Sequence, residues 1–274
     1  MIPQGSHRPY GDRTLDDLKL IIDAAKAAGE IGLKYFKKDP ETWTKGENSP
    51  VTEADIAIDT YLRDTLLAAR PSYGWLSEES DDDPARLTTN KAFIVDPIDG
   101  TRGFIEGSEN WVVSIALVEK GCPIIGVLYG PVLDKLYVAV DGEGATLNGK
   151  RIATSSAESL SEGEFIIPAR IATTIQEHLN KGMKRAPHIH SLAYRIALVA
   201  DGTYTGGIAR PGACDWDIAA ADLILTEAGG QFTDLDGHRQ VYNKAKTRHG
   251  WLLSSGKLVQ EPLKTALSAA IDIE

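Results

Sequence analysis

Asp96-Pro97-Ile98-Asp99-Gly100-Thr101 sets two carboxylates three positions apart, directly after the apolar run Phe93-Ile94-Val95. Pro97 and Gly100 suit neither a strand nor a helix interior, so this spacing predicts a strand that ends by bending into a turn. Both carboxylates can then project to one side, while the amides of Gly100 and Thr101 stay free for an anion. Oxygen donors arranged in this way suit a hard divalent cation such as Mg²⁺, which commonly takes one or two carboxylates together with substrate phosphate. A solvated acidic turn has the same composition, and the hexapeptide alone leaves both readings open.

Other carboxylates stand at element boundaries. Glu78 and Glu79 follow a short apolar stretch, 74–77. Asp217 follows Trp216 at the start of a helix expected over 217–228 and closed by Gly229-Gly230; a helix N-cap beside a buried indole explains that pair equally well. Asp55 lies three residues after Thr52, as in a capping box with Asp in place of Glu, where a helix-start carboxylate is also favoured by the helix dipole. Hydrolysis of a phosphate monoester needs an activated water, neutralised phosphoryl oxygens and help for the leaving alkoxide. Two metal ions roughly 3.5–4 Å apart supply all three, given about four carboxylates. Glu78, Asp96, Asp99 and Asp217 are the candidates.

The chain has 274 residues, 42% of them hydrophobic, enough for a sizeable core in one large or two modest domains. Its formal net charge of −10 repels nucleic-acid backbones and anionic lipid, so neither is expected as a partner. The same field repels a phosphorylated metabolite unless bound cations reverse it locally. Cys122 and Cys214 make no disulfide framework, although a single bridge between them stays open. No signal region and no apolar run of ~18 residues is present, so a soluble, cytoplasmic protein is expected.

The elements that must position these residues read in two groups. After a lead-in over 1–13, Leu15, Leu18, Ile22, Ala25, Ala28 and Tyr35 recur at helical spacing and predict a long amphipathic helix from a Thr14 cap. Residues 42–50 read as polar and turn-rich. A second helix opens at Thr52, and 81–84 reads as a solvated loop. Strands over 111–118, 123–129 and 136–140, with a hairpin signal at Asn148-Gly149, predict an antiparallel meander. Beyond about 155, strands and helices alternate: strands near 165–167, 204–209, 231–235 and 251–254, and helices over 173–181, 191–200, 217–228 and from 258. The fold class is therefore α+β, with an antiparallel-sheet unit over 1–153 carrying most of the candidate metal ligands. A smaller mixed-sheet unit over 154–274 supplies Asp217 and substrate contacts, and the site is expected between the two.

Four motifs in order resemble the inositol monophosphatase family of Mg²⁺-dependent, lithium-sensitive phosphatases. They are Lys45 with Val51-Thr52-Glu53-Ala54-Asp55, then Ser77-Glu78-Glu79, then Asp96 to Thr101 with Phe104, and finally Trp216-Asp217-Ile218-Ala219-Ala220 leading into Glu227-Ala228-Gly229-Gly230. The resemblance implies a layered α/β/α/β/α sandwich, often a homodimer. It also implies one Mg²⁺ held by Glu78, Asp96 and the Ile98 carbonyl, and a second held by Asp96, Asp99 and Asp217. Thr101 and Glu78 would orient the attacking water, and Asp55 would support Thr101. Lys45 would lie near that water or a third, weaker cation. Gly100, Thr101, Arg102, Ser191 and Arg210 are carried as substrate contacts.

Three departures bear on the substrate. Ser77 replaces the family's usual Gly. Arg102-Gly103 looks more like the branches acting on 3'-phosphoadenosine 5'-phosphate or histidinol phosphate. The segment 188–191 lacks a Gly-Ser pair found in relatives, and Arg210 stands where inositol phosphatases tend to carry an acid. Arg102 and Arg210 read either as a bidentate grip on a second phosphate or as surface residues. His188 and His190 read as loop residues. Inositol monophosphate is the default substrate, with the bisphosphate nucleotide, histidinol phosphate and a sugar bisphosphate as rivals. A regulatory protein that keeps the phosphatase shell is the non-enzymatic alternative.

Overall fold

The computed structural model describes residues 12–45, 49–179 and 182–273. The expected lead-in falls almost wholly outside these residues. Helix α1 (Asp12–Tyr35) begins before the expected Thr14, so Thr14 lies in its first turn and is not its cap. Leu15 is exposed, and Ile21, Ala24, Ala25 and Ala28 form the buried stripe. The 42–50 segment, expected as turns, forms a hairpin of β1 (Thr42–Lys45) and β2 (Ser49–Thr52). Helix α2 (Glu53–Ala69) starts at the predicted Thr52 cap, and its Asp55 side chain accepts from the Thr52 amide at 2.8 Å. Asp17 of α1 is fully buried; it pairs with Arg70 at 2.5 Å and accepts from the Tyr73 hydroxyl at 2.9 Å, which ties α1 to the end of α2.

A seven-stranded sheet follows in sequence order. It comprises β3 (Gly74–Ser77), β4 (Lys91–Asp99), β5 (Val112–Glu119), β6 (Cys122–Gly130), β7 (Lys135–Val140), β8 (Gly144–Leu147) and β9 (Lys150–Arg151). Only β3 and β4 are parallel; the rest is the predicted meander. Asn148 at φ 49° and Gly149 at φ 76° make the tight turn their types favour. Between β3 and β4 the expected loop runs through Asp83 and passes into a 3-10 turn (Pro84–Thr88). There Asp82 grips the buried guanidinium of Arg86 at 2.5 and 2.9 Å and is not simply solvated. Five-residue α3 (Thr101–Ile105) closes the end of β4.

The second sheet holds β10 (Glu164–Ile166), β11 (Lys184–Arg185), β12 (Gly206–Ala209), β13 (Gly230–Thr233) and β14 (Leu252–Gly256), ordered β11-β10-β12-β14-β13. Pairs β10–β11 and β10–β12 are parallel and the others antiparallel, as expected of a mixed sheet. Its helices are α4 (Ala169–Leu179), α5 (Leu192–Ala200), α6 (Asp215–Glu227) and α7 (Lys257–Ile273). Strand β11 has two residues and no periodicity, so no sequence pattern announces it.

Strand alternation sorts the layers. Phe93 and Val95 pack with α1 and α2 on one face of the first sheet. Ile94, Ala116, Val118 and Leu128 turn to the other face, against α5 and α6. Ile166 and Leu252 bring the second sheet onto those same helices, while Phe165, Ile208 and Leu253 face α4 and α7. The order is helix pair, sheet, helix pair, sheet, helix pair, so the layered sandwich is present. Each fully buried Leu, Ile or Phe in these layers contributes about 1.5–3 kcal/mol over leaving it in water. Helix α6 lies close on β6: a Cβ at Gly126 would come 2.6 Å from the Ala220 carbonyl oxygen. Cys122 is exposed and Cys214 buried, both free thiols, so no bridge joins them. Among the described residues, no helix is long and apolar enough to cross a membrane.

Candidate active site

Strand β4 stays paired with β5 as far as Asp96 opposite Ser114. The register then shifts, and Asp99 lies opposite Val112. This bulge turns the Asp96–Asp99 segment out of the regular ladder, which is how bulges re-aim side chains beside functional sites. The Asp96 carboxylate accepts from the Ile98 amide at 3.0 Å. Gly100 then adopts φ 101°, a left-handed conformation that favours glycine, and a Cβ there would also meet Ser191 at 3.1 Å.

Asp99 is clamped by the start of α5. Its carboxylate accepts the Ser191 hydroxyl and the amides of Ala193 (2.7 Å) and Leu192 (3.2 Å). Burial pushes its pKa up to about 6, with these donors opposing the rise. Ser191 is fully buried as the N-cap of α5, where its hydroxyl also accepts from the Tyr194 amide. The hydroxyl of Ser191, expected as a substrate contact, is engaged by Asp99 and the start of the helix.

Asp217 is the third residue of α6 and not its cap, because the helix begins two residues before the expected start. Its carboxylate accepts from the Cys214 amide at 2.6 Å, and Trp216 beside it is half-buried. Burial raises Asp217 and Asp96 well above the ordinary carboxylate range. Asp99 and Glu78 add like charge to Asp217, and Glu78, Asp99 and Asp217 add it to Asp96. Oxygen atoms of Glu78, Asp96 and Asp217 lie within 4.8 Å of one another, and Asp99 lies outside that tight set.

Glu78 is carried on a braced turn. Asp59 of α2 accepts the hydroxyls of Ser77 and Ser80, on either side of Glu78-Glu79. Lys45 donates to the Glu78 carbonyl at 2.6 Å and to the Glu79 carboxylate at 2.9 Å, and its ammonium lies 3.7 Å from the Glu78 carboxylate. Burial pushes Glu79 up to about 7, with the Lys45 contact opposing. The Thr101 hydroxyl lies 3.1 Å from Asp55 and 3.0 Å from the Ile98 carbonyl oxygen. Asp55 is buried behind it, and burial raises its pKa to about 6 against the Thr52 and Thr101 hydrogen bonds.

These elements enclose a cavity of about 680 Å³, within the range of small-molecule sites. Lys45, Glu78, Asp96, Ile98, Asp99, Gly100, Thr101, Arg102 and Asp217 all line it. Asp55 and Ser191 stand behind its wall, and Arg210 lines the adjoining cavity. Pro50, His190, Gly212, Cys214, Trp216 and Arg248 complete the lining, and none of them was expected there. Arg248 arrives through an isolated antiparallel bridge to Cys214, which leaves no local sequence signal. Asp59 did have one, since it sits one helical turn after Asp55 and so on the same face.

The donor set is chemically that of a hard-cation site: all-oxygen, anionic, and crowded with like charges that only a proton or a cation relieves. The residues present therefore fit a divalent metal.

The layered α+β sandwich, with an acidic cavity whose carboxylates could hold metal, has the fold of a phosphatase of the inositol monophosphatase type. Residues 16–270 match the inositol monophosphatase family, and the chain belongs to that family of phosphoric monoester hydrolases acting on small phosphorylated substrates. It is 32% identical to a histidinol-phosphatase from Mycobacterium tuberculosis, over 93% of this chain and 98% of the relative. It is 31% identical to the 3'(2'),5'-bisphosphate nucleotidase CysQ of Aggregatibacter actinomycetemcomitans, over 84% of this chain and 88% of the relative. The solved structure of a Thermotoga maritima IMPase superposes with a TM-score of 0.83 at 26% identity, covering 94% of this chain and 98% of that one.

Proposed function

We propose that the chain hydrolyses the phosphate monoester of a small metabolite with Mg²⁺, in the cavity between its two sheets. The observation that carries this reading is the convergence of Glu78, Asp96 and Asp217 within 4.8 Å beside the Thr101–Asp55 pair. Glu78, Asp96 and the Ile98 carbonyl would hold one ion, and Asp96, Asp99 and Asp217 a second. When bound, Mg²⁺ supplies positive charge for the phosphoryl oxygens and acidifies water.

The chain's own residues do the positioning. The Thr101 proton is held by Asp55 or the Ile98 carbonyl, so the lone pairs of Thr101 Oγ1 accept a hydrogen from the attacking water. Glu78 accepts the other. Lys45 offsets the negative charge of Glu78 and Glu79, and its contact opposes the rise that burial imposes on Glu79. Gly100 and Thr101 amides and Arg102 receive the phosphate. Inositol monophosphate is the default substrate by family resemblance. A homodimer in the cytoplasm, inhibition by lithium, and a third weak cation near Lys45 belong to the same proposal.

The test is phosphate release from inositol 1-phosphate, histidinol phosphate, adenosine 3',5'-bisphosphate and fructose 1,6-bisphosphate, with Mg²⁺ and with EDTA. Release that needs Mg²⁺ and vanishes in Asp96→Asn supports the reading. No Mg²⁺-dependent release from any of them overturns it.

A further inference from the structure

Segment 240–249 runs between β13 and β14 without forming a helix or strand, yet buried groups hold it at several points. The buried guanidinium of Arg86 donates to the Asn243 side-chain oxygen at 2.7 Å and to the Lys244 carbonyl at 3.1 Å. Asn243 has φ 56°, a left-handed conformation that Asn adopts more readily than most residues, and its amide donates to Asp215 of α6 at 2.8 Å. The other oxygen of Asp215 meets His249 Nε2 at 2.7 Å. His249 Nδ1 meets the Gln240 side chain at 2.9 Å, so both ring nitrogens are engaged. Two turns along α6, buried Asp222 accepts the Tyr242 hydroxyl at 2.6 Å.

Between these anchors the backbone pairs with the approach to α6. The His249 amide donates to the Ala213 carbonyl at 2.8 Å and the Asp215 amide to the Thr247 carbonyl at 2.9 Å. Cys214 and Arg248 face each other in the antiparallel bridge. Neighbouring side chains of extended backbone point to opposite sides. The His249 side chain is turned inward, only 9% exposed, so Arg248 is turned out into the carboxylate cavity that it lines. Its Nη1 donates to the Gly212 carbonyl at 3.1 Å, which directs the fork. Nε and Nη2 make no hydrogen bond among the described residues. The charge of Arg248 reaches Asp217 and Cys214, which places it on that side of the cavity, beside Trp216. The phosphate is assigned to the amides of Gly100 and Thr101, at the start of α3.

We infer that Arg248 is a specificity-determining residue: its open donors take an acceptor group on the alcohol part of the ester, and the Asp215–His249–Gln240 set holds it in place to do so. A guanidinium presents its donors in a fixed plane, so it selects by geometry as well as by charge. A site built to hydrogen-bond a substrate group rejects an analogue that lacks it more strongly than a missing methylene is rejected. The inference rests on the phosphatase reading and names a residue of that site that reads the alcohol.

The test compares kcat/KM in Mg²⁺ for the best of the four esters and for phenyl phosphate, whose alcohol carries no further polar group. Arg248→Ala should lower the ratio of the first to the second about 10-fold, the scale of one charged hydrogen bond. Arg248→Lys keeps the charge and loses the fork, and should restore only part of the ratio. His249→Ala should lower the same ratio, and the double variant should lose no more than Arg248→Ala alone, because the two act as one unit. If His249→Ala does not fold, Gln240→Ala, which removes a single ring contact, should show a smaller loss of the same kind. A ratio unchanged in Arg248→Ala, whether both rates fall together or neither falls, overturns the inference and leaves the phosphatase reading intact. A ratio that falls in Arg248→Ala but in neither His249→Ala nor Gln240→Ala overturns the positioning half. Should no ester turn over, calorimetric affinities for the four esters and for inorganic phosphate replace the rates. Arg248→Ala losing more affinity for the tightest ester than for phosphate then supports the inference; equal losses, or no ester binding by the wild type, overturn it.

Discussion

Ser191 donates its hydroxyl to Asp99 across 92 positions of sequence, from the cap of α5 to the bulged end of β4. One side chain thus starts a helix in the second half of the chain and orients a proposed metal ligand in the first. The clamp holds Asp99 through three donors, two of them backbone amides that a change at Ser191 leaves in place.

Ser191→Ala should therefore weaken two things at once. Loss of the cap costs about 1 kcal/mol of stability, and loss of one donor loosens Asp99. The expected outcome is a Tm lower by several degrees and a several-fold higher Mg²⁺ concentration for half-maximal rate. Thr at this position should restore most of both, because its hydroxyl also caps, if less well than that of Ser. An unchanged Mg²⁺ requirement in Ser191→Ala would refute the clamp.

Asp217→Asn should separate function from stability. Removing one of several crowded, buried carboxylates relieves like-charge repulsion, so the metal-free variant should melt at or above wild type. Turnover should nonetheless fall about 100-fold or more, as expected for loss of a group that stabilises developing charge. Thermal melts in EDTA, set beside phosphate release in Mg²⁺, test both halves.

Stability in the absence of metal should fall as pH rises. Asp55 and Asp99 have folded-state pKa values of about 6, above the 3.8 of the unfolded chain. Between those values the folded protein holds more protons than the unfolded one, so the slope of stability against pH is negative. Their favourable contribution is complete below about pH 4 and is lost as pH passes through about 6. Scanning calorimetry in EDTA should show a lower Tm at pH 8 than at pH 5. Added Mg²⁺, which binds only the ionised carboxylates, should raise Tm strongly at pH 8 and little at pH 5. Equal metal-induced shifts at the two pH values would contradict the proposed ligand set.

Thr101→Ala should lower kcat while leaving KM close to wild type, because the hydroxyl orients water and is not assigned to grip the alcohol. Steady-state kinetics on the best substrate read this directly. A change confined to KM would reassign Thr101 to binding.

Gly126→Ala tests the packing of α6 on the first sheet. The added methyl meets the Ala220 carbonyl oxygen at 2.6 Å, and a helix backbone cannot yield as a side-chain tip can. A loss of about 1–3 kcal/mol in denaturant unfolding is expected.

Features written in short stretches of sequence were legible without a structure. The Thr52–Asp55 capping box, the Asn148-Gly149 turn, the meander and the bend at Asp96 to Gly100 each follow from local conformational preference. The order of the motifs pointed to the family. Tertiary structure decided the rest: that Ser191 serves Asp99, that Lys45 meets Glu79, and that Arg248 reaches the cavity through Cys214. Those relationships join segments tens of residues apart, and they exist only once burial of the apolar layers brings the segments together. Local periodicity specifies an element and its inner face; which distant side chain then meets a given atom is set by how the layers stack.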